Sequence, residues 1–229
     1  MIKRIKHFAI SILDYFRHKK SYSQDGEDVV LASFYENTKN YRGFFVDIGA
    51  HHPIRFSNTW MFYKKRWKGI NIDPTPGSMT AFNILRRRDI NLEIGVGSKS
   101  EVIVFHCFNE PALNTFDLNL ANERNTGNPY KIIKKIDVQT ETLSNILNEF
   151  LPDGIQIDFF TIDVEGLDLQ VLQSNNWEKY SPKYVLVEDL DFDLLNPTKS
   201  LIYEFLSQKG YDIVSMLKRT IIYQRKYVQ

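Results

Sequence analysis

The sequence predicts an α/β protein built on a mostly parallel sheet with helices on both faces. Three nearly continuous apolar runs support this fold class, at residues 44–48, 69–73 and 157–163, and the first is closed by Gly49. Such runs are typical of strands that are covered on both faces. Helical patterns lie between them, which is the order of βαβ units in a Rossmann-like fold.

The composition favours one compact domain. The chain has 229 residues, of which 43% are hydrophobic and 25% charged, so it can bury a core of its own. The 29 basic and 28 acidic side chains nearly cancel, and no nucleic-acid partner is therefore predicted. Cys107 is the single cysteine, which excludes an intrachain disulfide and favours a cytoplasmic location.

Residues 1–20 predict a basic amphipathic helix that is separate from the main domain at residues 21–229. Apolar side chains recur there at helical spacing, and lysines and arginines occupy the other positions. Two roles are open: the helix packs on the domain or on a second subunit of a homodimer, or it rests on the inner face of an anionic membrane. The segment does not read as a signal peptide, and the sequence has no apolar run long enough to span a bilayer.

Local patterns place the other elements of the first half. A helix is predicted to begin near Asp25 or Glu27, where a polar stretch gives way to apolar residues. Residues 108–130 carry Asn, Pro and Gly without periodicity and predict a long functional loop or lid. The remaining elements are helices at residues 57–63 and 76–88, the second with a basic end at Arg86, Arg87 and Arg88, and strands at residues 91–96 and from residue 102.

The second half continues the alternation and ends differently. Helices are predicted at residues 143–150, 167–172 and 201–205, and a strand at residues 184–187. The final runs, at residues 211–216 and 221–224, flank a Lys-Arg turn and predict an antiparallel hairpin.

Acidic residues follow three of the predicted strands: Asp47, Asp73 and Asp163. Ligands of open parallel sheets bind beyond the carboxyl ends of the strands, so these acids are expected to face one cleft, although each could instead cap a helix. Asp73 comes 26 residues after Asp47, near the spacing at which a carboxylate accepts hydrogen bonds from ribose hydroxyls. The turn at Gly49 lacks the further glycines of a pyrophosphate clamp, which favours a sulfonium cofactor over NAD.

Three motifs carry a family resemblance: Ser-Gln-Asp-Gly-Glu-Asp at residues 23–28, Val-Asp-Ile-Gly-Ala-His at 46–51 and Ile-Asp-Val-Glu-Gly at 162–166. On these the chain resembles the FkbM family of S-adenosylmethionine-dependent methyltransferases, from about residue 21 to residue 223. The resemblance implies the class I methyltransferase fold, with a seven-stranded sheet whose last strand is antiparallel. Family members resemble O-methyltransferases of sugars and natural products, so the implied acceptor is a small molecule or carbohydrate.

Candidate site residues follow from the motifs and the strand ends. A hydroxyl acceptor needs a base or a metal ion to remove its proton, and clustered carboxylates can serve as either. The alternative role of each residue is capping, turn formation or packing. The predicted cofactor-binding residues are Gln24, Asp47, Gly49, Ala50, His51, Asp73, Pro74, Asn114, Thr115 and Asp163; the predicted catalytic residues are Asp163, Glu165, Glu188 and His51; the predicted ligands of Mg²⁺ or Mn²⁺ are Asp163, Glu188 and Asp189.

The predicted function is methylation of a hydroxyl on a sugar, a polysaccharide precursor or a small natural product, with S-adenosylmethionine as cofactor. Two alternatives stay open on the sequence. One is an NAD-dependent sugar-modifying enzyme, which would use the same ribose-binding acid. The other is a non-catalytic module that only holds the cofactor.

Overall fold

The computed structural model of the protein describes residues 20–38, 40–126 and 129–226. Residues 1–19, which carry most of the predicted basic helix, lie outside this part of the chain. Among the helices described, none is long and apolar enough to cross a membrane.

Strands within the described residues form two sheets. The strands are β1 (Phe44–Ile48), β2 (Lys68–Ile72), β3 (Ile90–Leu92), β4 (Gly95–Val96), β5 (Glu101–Phe108), β6 (Ile132–Glu141), β7 (Phe159–Ile162), β8 (Tyr184–Glu188), β9 (Tyr211–Met216) and β10 (Thr220–Arg225). The large sheet has seven strands in the order β3-β2-β1-β7-β8-β10-β9, and the small sheet has the order β4-β6-β5. In the large sheet all paired strands are parallel except those that involve β10.

Helices connect the strands and cover both faces of the large sheet. Several begin at side chains that accept an otherwise unpaired backbone N–H group: Thr142 accepts from Asn145 at 3.1 Å, and Ser200 accepts from Tyr203 at 3.0 Å. The helices are α1 (Glu27–Ser33), α2 (Trp60–Lys64), α3 (Ser78–Leu85), α4 (Leu118–Asn125), α5 (Leu143–Phe150), α6 (Asp168–Gln173) and α7 (Leu201–Gln208), with 3₁₀ turns at Pro111–Leu113 and Pro197–Lys199.

Alternate residues of the central strands feed two separate apolar cores. In β1, Val46 and Ile48 belong to the larger core, whereas Phe45 packs with Phe62 and Phe159 on the opposite face. Every residue of β1 is buried. The nearly continuous apolar runs in the sequence therefore reflect burial on both sides, as predicted.

Two parts of the sequence prediction are wrong. The stretch at residues 108–130 is not a loop throughout, because it contains a 3₁₀ turn and α4. Helix α4 has weak apolar periodicity, since Ala121 is its only buried residue. Its start is fixed by the side chain of Asp117, which accepts from the amides of Asn119 and Leu120. The predicted strand at residues 91–96 is divided between β3 and β4, which lie in different sheets.

Strand β6 was absent from the prediction, although it has ten residues. It pairs with β5, and most of its side chains are exposed or half-buried. Its first half, Ile-Ile-Lys-Lys, has no alternation, but Ile136, Val138 and Thr140 alternate with Asp137, Gln139 and Glu141. That period-two pattern is typical of a half-buried strand and could have indicated β6. By contrast, the terminal hairpin of β9 and β10 is confirmed.

Arg86 lies at the predicted basic end of α3, and its side chain is completely buried. It forms an ion pair with Asp89 at 2.8 Å and donates hydrogen bonds to Thr59 at 3.1 Å and Asn71 at 3.3 Å. Its guanidinium also lies 4.7 Å from the centre of the Tyr63 ring. The group joins α3 to β2 and the loop after β1.

We expect Arg86→Ala to lower the free energy of unfolding by about 3–5 kcal/mol, because it leaves buried Asp89 without its positive partner. Urea unfolding of the purified protein measures the effect. Arg87→Ala is the matched control, since Arg87 is exposed at the next position, and it should change stability by less than about 0.5 kcal/mol. Equal losses for the two variants would contradict the structural role of Arg86.

Candidate active site

The turn after β1 has space only for glycine. Gly49 has φ +83°, and a Cβ added there would lie 1.7 Å from the carbonyl oxygen of Asp163. The amides of Gly49 and Ala50 donate to the carbonyl of Ile72 at 2.9 and 3.0 Å. The turn therefore holds the ends of β1, β2 and β7 close together.

Asp73, the residue after β2, has a carboxylate fixed by the backbone. One oxygen accepts from the amide of His51 at 2.9 Å, and the other accepts from the amide of Thr75 at 2.8 Å. Each carboxylate oxygen can accept more than one hydrogen bond, so both oxygens can still bind a ligand. The side chain is held in position before any ligand arrives.

A cavity of about 310 Å³ opens at this edge of the sheet. One part is apolar and lies beside Asp73; the other part is lined by charged groups from α4, from the ends of β7 and β8 and from the turn before β10. The apolar side chains include Ile72, Ile94, Val96, Phe105 and Phe116, and the charged ones include Arg124, Asp163, Glu165, Glu188 and Arg219.

Three carboxylates converge in the charged part of the cavity. Oxygens of Asp163, Glu165 and Glu188 all lie within 4.8 Å of one another. Burial, followed by repulsion from Glu188 and Glu165, raises the pKa of Asp163 well above its usual range. Burial and the charge of Glu165 raise the pKa of Glu188 to about 7. Glu188 is thus poised to exchange a proton near neutral pH.

The loop after β7 is shaped around Glu165. Glu165 and Gly166 both have positive φ, at +55° and +100°, and for Glu165 this is an uncommon conformation. The carboxylate of Asp168 holds the loop by accepting from the amides of Val164 at 3.1 Å and Gly166 at 3.3 Å. The Ile-Asp-Val-Glu-Gly motif therefore places two acids, Asp163 and Glu165, on the cavity wall.

Two guanidinium groups balance part of this negative charge. Arg124 forms an ion pair with Glu165 and donates to the carbonyl of Leu113 at 3.1 Å. Arg219 forms an ion pair with Asp25 at 2.9 Å. Both arginines lower the pKa of Glu188, although burial still has the larger effect.

The structure brings most of the predicted site residues to one cavity and leaves others outside its wall. Those on the wall are Gln24, Gly49, His51, Asp73, Pro74, Asn114, Asp163, Glu165 and Glu188. Those not on the wall are Asp47, Ala50, Thr115 and Asp189.

Three of the residues outside the wall have side-chain partners elsewhere. Asp47 is in mid-strand and accepts from Thr59 at 2.7 Å, on the face opposite Ile48; burial raises its pKa to about 6. Thr115 donates to the carbonyl of Glu165 at 2.8 Å and so supports the loop from behind. Asp189 was predicted to lie beside Asp163 and Glu188 as a metal ligand, but its carboxylate accepts from the hydroxyl of Ser200. The carboxylate that does lie beside Asp163 and Glu188 is that of Glu165.

Sequence reasoning missed several residues of the wall, chiefly Arg124, Arg219, Phe56 and Leu190. Arg124 lies in α4, which has too weak a pattern to be recognised. Arg219 could have been found, because an antiparallel last strand must begin at the edge where the parallel strands end. Phe56 has φ +57°, an uncommon conformation that the sequence does not signal.

We expect Glu188→Gln to stabilise the protein at alkaline pH. The folded pKa of Glu188 is raised to about 7, so its favourable contribution is complete below the unfolded pKa and is lost as pH rises through the folded value. The advantage of the variant should therefore grow by about 2 kcal/mol between about pH 5 and pH 8. Urea unfolding at both pH values measures it, and a constant difference would contradict the prediction.

The strand order, the glycine turn and the acid after β2 define a Rossmann-like protein of the class I methyltransferase fold. A family model described as the methyltransferase FkbM domain matches residues 47–213. The chain belongs to this family, which confirms the resemblance drawn from its motifs.

Two known proteins illustrate the similarity. Methyltransferase sdnD from Sordaria araneosa is 35% identical over 88 residues, which cover 34% of this chain and 32% of that protein. The crystal structure of methyltransferase FkbM from Methylobacillus flagellatus KT aligns with a TM-score of 0.52 at 13% identity and covers 89% of this chain and 48% of that one. At that identity the structural match supports the fold. The chain spans a third to a half of the length of these relatives.

Proposed function

We propose that the protein transfers a methyl group from S-adenosylmethionine to a hydroxyl oxygen of a small-molecule or carbohydrate acceptor. The observation that carries this proposal is the placement of Gly49, Asp73, Asp163 and Glu188 on one cavity at the carboxyl edge of the sheet. Ligands of open α/β sheets bind at such an edge. Membership of the methyltransferase FkbM domain family supports the reaction type.

The residues present fit the cofactor. Asp73 offers two backbone-fixed oxygens to a ribose diol, and the neighbouring isoleucine, valine and phenylalanine side chains offer an apolar wall to an adenine ring. The carboxylate of Asp163 has a buried oxygen, Oδ1, with no hydrogen-bond partner among the described residues. Buried acceptors of this kind need a hydrogen-bond donor, which the ammonium group of the cofactor can supply, and the positive charge of the sulfonium suits an acidic wall.

NAD fits this cavity less well. A pyrophosphate would meet the carboxylates of Asp163, Glu165 and Glu188, and both arginines nearby already pair with acids. The turn at Gly49 also lacks the additional glycines that let a backbone approach a pyrophosphate. These charges favour a cationic cofactor over an anionic one.

When bound, S-adenosylmethionine supplies an electrophilic methyl group. The contribution of the chain is to orient an acceptor hydroxyl and to take its proton. Glu188 suits the second task, because its pKa of about 7 leaves much of it ionised at neutral pH. Arg124 is paired with Glu165 in the same wall, so the positive charge near this carboxylate cluster comes from the protein itself, and we propose no metal ion there.

We expect Asp73→Ala to weaken binding of S-adenosylhomocysteine, the demethylated product, at least 100-fold. The variant removes the proposed ribose acceptors and frees the amides of His51 and Thr75. Isothermal titration calorimetry measures the dissociation constants.

Glu93→Ala is a nearby control, since Glu93 follows β3 and accepts from the amide of Gly77 outside the cavity wall. The affinity of Glu93→Ala for S-adenosylhomocysteine should stay within about threefold of that of the wild type. The proposal fails if the wild type binds NAD and not S-adenosylhomocysteine. A wild type that binds the product tightly but methylates no compound in a broad acceptor panel would favour the non-catalytic module.

A further inference from the structure

The far end of the cavity lies where the segment before α1 contacts the turn before β10. Because β10 is antiparallel to β8, it begins at the edge where the parallel strands end, and Arg219 directly precedes it. The sheet order places four strand spacings, roughly 19 Å, between β2 and β10. Arg219 therefore lies at the opposite end of the cavity from the proposed ribose site at Asp73.

Arg219 contacts the segment that leads into α1. Its guanidinium pairs with Asp25 at 2.9 Å. The side-chain amide of Gln24 is assigned the orientation that satisfies its hydrogen bonds. In that orientation its oxygen accepts from the two terminal nitrogens of Arg219 at 2.9 and 3.2 Å. The neighbouring residues repeat the connection, because Thr220 donates to Glu27 at 3.2 Å. Gln24 and Arg219 both line the cavity.

We propose that Arg219 is a positioning residue that holds residues 24–27 so that Gln24 forms the wall of the acceptor side of the site. The inference rests on the proposed function, since the acceptor side is defined by the cofactor end at Asp73. A planar guanidinium can direct both terminal nitrogens at the amide oxygen of Gln24 and keep the carboxylate of Asp25 within ion-pair distance, which a lysine ammonium does with less geometric control. The wall then presents Gln24 beside Glu188, the proposed base.

Hydrogen exchange of residues 21–28 tests the proposal directly in the full chain. We expect Arg219→Gln to speed exchange in this segment at least tenfold, and Arg219→Lys to restore part of the protection. Arg225→Gln is the matched control, because Arg225 lies at the other end of the same strand and outside the cavity wall. Unchanged exchange in Arg219→Gln would overturn the proposal.

Calorimetry with S-adenosylhomocysteine tests which side the wall serves. The affinity of Arg219→Gln should stay within about twofold of the wild type, whereas its KM for any acceptor that the wild type methylates should rise at least tenfold. A parallel loss of affinity for the demethylated product would place the wall on the cofactor side and overturn the assignment. If the wild type does not bind that product, the proposed function fails along with the assignment, and the exchange result alone decides whether Arg219 holds the segment.

Discussion

Gly49→Ala is expected to lower the free energy of unfolding by about 4 kcal/mol and to abolish binding of S-adenosylhomocysteine. The added Cβ would lie 1.7 Å from the carbonyl oxygen of Asp163, so the ends of β1 and β7 must move apart. The positive φ of Gly49 adds strain of its own. Urea unfolding and calorimetry measure the two effects.

Gly210→Ala separates the clash from the strain. Gly210 has φ +82°, almost the same as Gly49, but a Cβ there would meet nothing within 4 Å. The control should therefore lose only about 1 kcal/mol and keep its affinity for S-adenosylhomocysteine. If both variants lost the same stability, the close approach of β1 and β7 would not matter to the fold.

Glu188→Gln is expected to lower kcat for methyl transfer at least 100-fold, because the amide cannot accept the proton of the acceptor hydroxyl. In the wild type, kcat should rise with pH through about pH 7 as Glu188 ionises, and the variant should lack this rise. Affinity for S-adenosylhomocysteine should change little, since Glu188 lies on the acceptor side. A pH–rate profile with any accepted acceptor measures both effects.

Asp189→Asn provides the matched control for this prediction. It is the next residue along the chain, yet its carboxylate accepts from Ser200 outside the cavity wall. Its kcat should stay within about threefold of the wild type. A large loss in Asp189→Asn together with full activity in Glu188→Gln would show that the base is assigned to the wrong residue.

The expected gain in stability of Glu188→Gln and its expected loss of activity have one cause. A carboxylate that is buried beside Glu165 and Asp163 is unfavourable for the fold at alkaline pH and useful for taking a proton. The same environment therefore predicts two effects of opposite sign in a single variant.

The sequence was informative where burial is complete. The strands β1, β7 and β8 are covered on both faces, so their apolar runs predicted their positions, and the runs of β7 and β8 also predicted the acids at their ends. Gly49 and Asp73 were found for the same reason, since each comes directly after a buried strand. The hairpin of β9 and β10 was visible because a turn separates two β-rich runs.

The rest of the site depends on tertiary contacts that no local pattern records. Arg124 reaches the cavity from α4, whose helix has almost no apolar face. Asp47 looked equivalent to Asp73 and Asp163 in the sequence, but it is in mid-strand, and its side chain bonds Thr59 away from the cavity. A shift of one residue along a strand reverses the face, and the sequence alone did not fix that position.

A crystal structure of the protein grown with S-adenosylhomocysteine is the most direct test of the central claim. We expect the ribose hydroxyls within hydrogen-bond distance of both oxygens of Asp73, and the sulfur atom on the side of Asp163 and Glu188. Density for the ligand elsewhere on the protein, or a ribose that does not touch Asp73, would contradict the account.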